Sequence, residues 1–178
     1  DGKLISGIRV RAWQQTIAHV PQSIYLADTT LAENIAFGVP PDSIDLDRVQ
    51  QAAGQAQIAD FIESSPEGYQ AYVGERGIRL SGGQRQRIGI ARALAAEPKL
   101  IVCDEVTSAL DQLVANGILR LLRRLQEERG LSYMFITHDL ATVRAIADHV
   151  VVMQNGEVVE QGPRDEMFAS KDQPYTET

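Results

Sequence analysis

The apolar positions between residues 80 and 111 change their period along the chain. The spacing of one helix face recurs at Ile88, Ala91, Leu94 and Ala95. Pro98 ends this pattern, so we expect the helix to end before it. The next apolar run, residues 100–103, is short and uninterrupted, which is typical of a strand in the middle of a parallel sheet. The stretch therefore predicts a loop, a helix and a buried strand in that order.

The rest of the chain shows the same alternation of periods. A helix is predicted from Asp111 to about Glu128, with an apolar stripe at Leu110, Val114, Gly117, Ile118, Leu121 and Leu125, and with Gly130 as its stop. Residues 133–136 predict a second buried strand, and Asp139 is a cap for a further helix. Asn155-Gly156 predicts a hairpin, and a short amphipathic helix is expected near residues 164–170.

The first eighty residues contain weaker signals. Asp1-Gly2 predicts a turn, and residues 17–20 predict a short strand. The apolar spacing from about Leu46 to Glu63 predicts one helix. Residues 23–79 are therefore interpreted as a small, mainly helical subdomain between a core remnant (1–22) and a second core part (80–178).

Two features within residues 80–111 carry candidate chemistry. Ser81 followed by Gln84 fits a capping box, and Gly82 and Gly83 allow the backbone to approach a ligand closely. The N-terminus of the predicted helix is therefore a candidate binding site for phosphate.

The second feature is the carboxylate pair Asp104 and Glu105 at the carboxyl end of the predicted strand, where open α/β sheets place ligands. One carboxylate can hold Mg²⁺ while the other orients or deprotonates a water. An isolated Asp-Glu pair is more often an ordinary solvated strand end. Here LSGGQ, an apolar strand, DE and SALD stand in one register, which favours the functional interpretation.

This combination resembles the signature motif, Walker B motif and D-loop of ATP-binding cassette (ABC) ATPases. The resemblance implies an α/β fold, a partial P-loop-NTPase-like core of mainly parallel sheet, and the cofactors ATP and Mg²⁺. It also implies a role for each matching residue. By this resemblance, Glu105 is the general base and Asp104 binds Mg²⁺. Gln22 of the Q-loop senses metal and water, and His138 of the H-loop holds the γ-phosphate. The ATP held by a partner domain is contacted by Ser81, Gly82, Gly83 and Gln84, and Asp111 lines the dimer interface.

The resemblance also implies partners and a location. The partners are a second ABC ATPase domain in a head-to-tail dimer and transmembrane transporter domains, and the location is the cytoplasmic face of a bacterial inner membrane. The loop Val73–Gly77, including Glu75, resembles the X-loop that contacts the membrane domain of exporters. Residues 13–79 resemble exporters, whereas residues 98–177 resemble the ATPase subunits of peptide importers.

The amino-acid composition limits further the classes of protein to which the chain can belong. A hydrophobic fraction of 44% is that of a globular protein, and a net charge of −7 argues against a nucleic-acid-binding surface. The single Cys103 excludes an internal disulfide, and its place in the predicted buried strand argues against a catalytic thiol.

The motif GxxxxGK[ST], which cradles phosphates in this family, does not occur in the 178 residues. We therefore expect a fragment of an ABC ATPase that is inactive alone. One alternative is a non-catalytic module that lends its signature motif to a complete partner. Another is a DNA-maintenance ABC ATPase, although residues 22 and 81 are too close for the long coiled coil inserted there in that class.

Overall fold

The computed structural model describes residues 6–74 and 79–169. Three parts of the sequence lie outside the described residues: the predicted Asp1-Gly2 turn, residues 75–77 of the X-loop-like stretch with Glu75, and the C-terminal residues 170–178. The chain divides at Ile136 into two compact units, which are described separately below. The division expected from the sequence, into residues 1–22, 23–79 and 80–178, stays a prediction.

The first unit is built on a three-stranded parallel sheet with the order β1-β2-β3. Its strands are β1 (Ile17–Val20), β2 (Leu100–Asp104) and β3 (Ser132–Ile136). β2 is the central strand: Cys103 is paired with Val20 of β1 on one side and with Phe135 of β3 on the other. The parallel sheet with its helices confirms the predicted α/β fold.

β3 differs from its prediction as a buried strand. Ile101 and Cys103 of β2 are fully buried, whereas Met134 and Ile136 of β3 are 50% and 45% exposed. The prediction of a buried β3 is therefore wrong. Among the described residues β3 pairs with β2 alone and is an edge strand, and the face that carries Met134 and Ile136 is not covered.

Six α-helices accompany the sheet in the described part of this unit. They are α1 (Ile8–Gln14), α2 (Leu31–Ile35), α3 (Leu46–Gln55), α4 (Ala59–Glu63), α5 (Gly82–Ala95) and α6 (Gln112–Arg129). Short 3₁₀ turns occupy Pro41–Ser43 and Gly68–Gln70. The strongly apolar centre of α5 is buried, with Ile88 fully inaccessible. In the predicted stripe of α6, Ile118, Leu121 and Leu125 are buried, whereas Leu110, Val114 and Gly117 are half-buried. The helices after Ser81 and Asp111 are confirmed, and Gly130 ends α6 in the left-handed conformation.

The single helix predicted from Leu46 to Glu63 is wrong, because it is two helices. Gln57 lies between them with φ of 56°, a conformation that no helix can contain. The carbonyls at the end of α3 are instead bonded by arginines from other helices: Arg124 donates to Gln55 at 3.3 Å and Arg87 to Ala56 at 3.1 Å. Tertiary contacts therefore satisfy the helix end that the local pattern would have continued.

The second unit contains α7 (Leu140–Ile146), the hairpin of β4 (His149–Gln154) and β5 (Glu157–Pro163), and α8 (Arg164–Ala169). Asn155 and Gly156 both have positive φ, 53° and 84°, as a tight two-residue hairpin turn requires. The predicted hairpin and the cap of α7 by Asp139 are confirmed. Within the described ranges, none of the helices combines the length and apolarity of a membrane span.

Candidate functional site

The register of the parallel sheet brings three sequence-predicted residues to one edge. Val20 of β1 is paired with Cys103 of β2, so Gln22 and the Asp104-Glu105 pair follow at the same, carboxyl edge of the sheet. Gln22 is tied there by its side chain, whose Nε2 donates a hydrogen bond to the Oγ of Ser108 at 3.2 Å. The carboxyl edge of this sheet therefore collects an amide, a hydroxyl and two carboxylates within a few residues.

The backbone of Glu105 is held on two sides. Its N–H donates to the carbonyl of Ile136, the last residue of β3, at 2.9 Å. Its carbonyl accepts from both the Oγ and the N–H of Ser108, at 2.9 Å and 3.1 Å. Glu105 has φ of 50°, which is uncommon for a residue with a side chain, and such strained positions persist where the surroundings fix them. The side chain is thus presented from a constrained turn.

The predicted capping box is present at the start of α5. The N–H of Ser81 donates to Oε1 of Gln84 at 2.8 Å, and the N–H of Gln84 donates to Oγ of Ser81 at 3.3 Å. The hydroxyl proton of Ser81 and the NH₂ group of Gln84 remain as donors, together with the first backbone N–H groups of the helix. This helix end therefore presents donors suited to an anion.

Gly82 and Gly83 pack tightly against the segment that leads into α6. A Cβ on Gly82 would lie 3.2 Å from Cδ2 of Leu110, and one on Gly83 would lie 2.7 Å from Cγ1 of Val114. The two glycines were expected to admit a ligand. The structure adds an intramolecular reason for them, since α5 and the start of α6 come too close for a side chain there.

Asp111 is the N-cap of α6. Its Oδ1 accepts from the N–H of Val114 at 3.0 Å, so one carboxylate oxygen is used inside the chain. The neighbouring Leu113 is 81% exposed. Asp111 therefore fixes the direction of α6 next to the glycines of α5.

His138 belongs to the second unit, where it precedes the N-cap of α7. Asp139 accepts from the N–H of Ala141 at 2.9 Å and from the hydroxyl of Thr142 at 2.6 Å. The Thr142 hydrogen bond is the main cause that lowers the pKa of Asp139. The structure thus gives His138 a well-defined, charged neighbour. The edge site formed by Gln22, Ser108, Asp104 and Glu105 lies in the first unit.

The sequence did not single out Asn34, a fully buried amide in α2. Its side chain accepts from the N–H of Ala27 and donates to the carbonyls of Ala27 and Thr30. Arg92 of α5 donates to the Asn34 carbonyl at 2.8 Å, and its guanidinium lies 4.6 Å from the centre of the Phe37 ring. This cluster ties the segment after Gln22 to α5. The only available signal was a polar residue between the apolar positions of a short helix.

Ser108 was also missed as an individual residue, although it stands in the quoted SALD stretch. Serine is common in turns, so its place three residues after Glu105 gave no separate signal. Its second bond, to Gln22, depends on a parallel pairing that no local pattern reveals.

The oxygen ligands available at this edge of the sheet suit Mg²⁺ better than a metal ion that is coordinated by protein side chains alone. Among the described residues there is no group of three or more His, Cys, Asp or Glu side chains placed to hold a metal. Mg²⁺ does not need one, since it is commonly bound by one or two carboxylates together with phosphates and waters. Asp104 and the amide of Gln22 would be the residues to hold it, since both follow neighbouring strands at one edge of the sheet and carry oxygen atoms.

Cys103 does not contribute to this chemistry. Burial raises the pKa of its thiol to about 12, so almost no thiolate exists at neutral pH. It lies fully buried within β2, as the sequence predicted.

Comparison with known proteins relates the chain to part of ABC transporters. The family model described as "ABC transporter" matches residues 1–108. The ABC-type transporter fsqE of Aspergillus fumigatus is 40% identical over 95% of this chain, which covers 13% of that protein. The ATP-dependent lipid A-core flippase of Chromohalobacter salexigens is 44% identical over 88% of this chain and 26% of its own length.

A solved structure agrees with these relatives. The structure of a bacterial Atm1-family ABC exporter with ATP bound matches 92% of this chain at 36% identity with a TM-score of 0.76, and 28% of that exporter is covered. The chain thus spans between about an eighth and three tenths of the length of these three proteins.

Proposed function

Because the chain belongs to the ABC transporter family, we propose that it forms part of an ATPase domain that drives transport across a membrane. The observation that carries the proposal is the hydrogen bond from Gln22 to Ser108 beside the Asp104-Glu105 pair. It joins a Q-loop-like residue to a Walker-B-like strand end, in the register the family resemblance implies.

Glu105 is the general base in this proposal. Its backbone is fixed by Ile136 and Ser108, which limits where the carboxylate can reach. A positioned carboxylate can accept the proton of an attacking water, a contribution of about 10²–10⁴-fold to the rate. His138 would donate a hydrogen bond to the γ-phosphate.

Asp104 and Gln22 would hold Mg²⁺. The ion, when bound, neutralises the charge of the phosphates during phosphoryl transfer. Asp104 ends β2, and Gln22 follows β1 at the same edge of the sheet, so both approach one place from neighbouring strands. Gln22 couples this place to Ser108 and hence to the backbone of Glu105.

The N-terminus of α5 would bind the ATP of a second ABC domain. Ser81 and Gln84 keep a hydroxyl proton and an NH₂ group after their capping bonds, and Gly82 and Gly83 offer backbone N–H groups. Asp111, which caps α6 beside these glycines, would line the same interface. The proposed partners are therefore a second ATPase domain and transmembrane domains, with the chain at the cytoplasmic face of the membrane.

A second candidate function follows from the absence of GxxxxGK[ST] in the sequence. The chain would then be a non-catalytic module whose α5 N-terminus completes the site of a partner. Both functions use Ser81 and Gln84, but only the first needs Glu105 as a base.

The test uses a completed cassette, in which a P-loop segment from an ABC exporter is joined to residues 1–178. We expect the 178-residue chain alone to show no ATP turnover and the completed cassette to hydrolyse ATP. Glu105→Gln should keep ATP binding and lower turnover by about 10²–10⁴-fold, since an amide cannot take the proton of the water.

Glu67→Gln, at an exposed position in a turn, is the matched control and should leave turnover unchanged. Turnover of the Glu105→Gln cassette within a few-fold of the unmutated one would contradict the assignment of the base. An inactive cassette that stimulates a complete partner domain would favour the second function.

A further inference from the structure

Gln86 is a buried amide without a hydrogen-bond partner. It lies in α5, is 4% exposed, and its Nε2 makes no hydrogen bond within the part of the chain that the structure describes. An NH₂ group buried in this way loses its bonds to water without replacement, which is unfavourable. Buried polar side chains are nearly always paired, so this one calls for an explanation.

The neighbours of Gln86 on α5 show what it faces. Gly82, four residues before it, packs against Leu110, and Gly89, three residues after it, packs so closely on Ile24 that a Cβ would lie 2.5 Å from Cδ1. Residues three and four apart share one helix face. Gln86 therefore lies between the segment after Gln22 and the turn that ends at Asp111.

These two segments are themselves joined, and the joint is under strain. Gln22 bonds Ser108, and Ser108 bonds the carbonyl of Glu105, whose φ of 50° is unfavourable for a residue with a side chain. The present arrangement thus carries two separate penalties, the strained backbone of Glu105 and the unpaired amide of Gln86. The turn between Glu105 and Asp111 carries carbonyl and hydroxyl oxygens, which are the acceptors that the amide of Gln86 lacks.

We propose that Gln86 is a positioning residue whose amide nitrogen is a donor for a second arrangement of the turn between Glu105 and Asp111. In that arrangement Gln86 donates to an oxygen of the turn. The start of α5 and the proposed base would then move together. The inference rests on the proposed function for its turnover measurement only.

Two substitutions separate positioning from stability. Gln86→Met keeps the length of the side chain and removes the unpaired amide, so the melting temperature of the 178-residue chain should rise by about 2–4 °C. Gln86→Glu keeps the shape but places a carboxylate in the same buried position, so the melting temperature should fall. Neither variant has the amide donor.

Turnover of the completed cassette should fall in both variants by about tenfold or more, because the second arrangement has lost its hydrogen bond. The loss should appear in kcat, with the KM for ATP changed by less than about threefold. Gln51→Met, an exposed position on α3, is the matched control and should change neither quantity. If Gln86 had only a structural role, turnover would instead follow the melting temperature, rising in Gln86→Met and falling in Gln86→Glu.

Hydrogen exchange of the 178-residue chain tests the same inference without nucleotide. The N–H groups of Ser108 and Leu110 are bonded to Glu105 and Thr107 in the present arrangement. Gln86→Met removes the competing arrangement, so these two N–H groups should exchange more slowly than in the unmutated chain.

Each outcome is decisive. Unchanged exchange in Gln86→Met, a lower melting temperature in that variant, or turnover of Gln86→Met at or above the unmutated level would each overturn the inference. If the unmutated completed cassette is inactive, the proposed function fails, and the exchange result alone decides the role of Gln86.

Discussion

The side chain of Gln22 donates a hydrogen bond to Ser108 at 3.2 Å, although 86 residues separate them in the chain. The same Ser108 hydroxyl donates to the carbonyl of Glu105 at 2.9 Å. A single oxygen therefore connects the residue after β1 to the backbone of the residue after β2.

Ser108→Ala removes that connection. Gln22 and Ser108 are exposed, so we expect the free energy of unfolding to fall by no more than about 1 kcal/mol. Turnover of the completed cassette should fall by about tenfold, because Gln22 and Glu105 are no longer held together. Gln22→Ala in the same molecule should cause little further loss, as expected for residues that act as a unit.

Ser64→Ala is the matched control for this prediction. Ser64 also donates to the carbonyl three residues before it, Phe61, at 2.7 Å, but it has no connection to the sheet edge. Its substitution should leave turnover unchanged. Equal effects of the two alanines on turnover would contradict a special role of Ser108.

Gly83→Ala tests the close packing of α5 on α6. The new methyl group would lie 2.7 Å from Val114, so the free energy of unfolding should fall by about 1–3 kcal/mol. Val114→Ala in the same chain should recover most of this loss. Urea unfolding measures both, and Gly54→Ala, where the space around the residue is open, should not destabilise the chain.

The Gly83→Ala, Val114→Ala pair also separates the two reasons for the glycine. ATP-dependent association of the completed cassette should stay impaired after stability is recovered, if the glycine also admits a ligand. Full recovery of association would leave packing as its one role.

Asn34→Ala removes a fully buried amide that serves several backbone groups. The N–H of Ala27 would lose its partner inside the fold, and the carbonyls of Ala27 and Thr30 would each keep only a backbone N–H. We expect the free energy of unfolding to fall by about 3 kcal/mol. Asn116→Ala on the exposed face of α6 should cost less than about 0.5 kcal/mol in the same urea experiment.

Cys103 should resist alkylation in the folded chain. With a pKa of about 12, its thiolate at pH 8 is more than about a thousandfold rarer than that of an ordinary exposed cysteine. Iodoacetamide labelling followed by mass spectrometry should show modification only after urea unfolding. Labelling of the folded chain at the rate of a free thiol would show that the covered side of β2 opens readily.

The stability of the second unit should depend on the ionisation of Asp139. The hydrogen bond from Thr142 lowers the pKa of this carboxyl, so its contribution is present above the unfolded pKa of about 3.9 and is lost as the pH falls through the lower folded value. Asp139→Asn keeps a capping side chain that does not titrate. Its melting temperature should therefore lie below that of the unmutated chain at pH 7 and approach it at about pH 2.

Local signals predicted the parts of the site that depend on neighbours in sequence. The capping box of Ser81 and Gln84, the cap at Asp111 and the turn at Asn155-Gly156 follow from residues that interact within one turn of chain. The apolar run of β2 was sufficient to place it in the centre of the sheet. These features were predicted because their causes are local.

The remaining features depend on distant contacts. The break at Gln57 depends on arginines from α5 and α6 that satisfy the carbonyls ending α3. The exposure of Met134 depends on which strands flank β3, and a hydrophobic run does not encode its neighbours. The burial of Gln86 is equally invisible in sequence, where a polar residue on a helix predicts a solvated face.

The register of β1 and β2 also determines when the site can form during synthesis. Ile17 pairs with Leu100, so 83 residues (100 − 17) must be made after the first partner before the pair can close. At about 5–20 residues per second, this takes roughly 4–17 s. Of the helices between these strands, α2, α3 and α5 pack on one another, and this packing can form during that time. The carboxyl edge that carries Gln22 and Glu105 is therefore assembled late, on helices that have already folded.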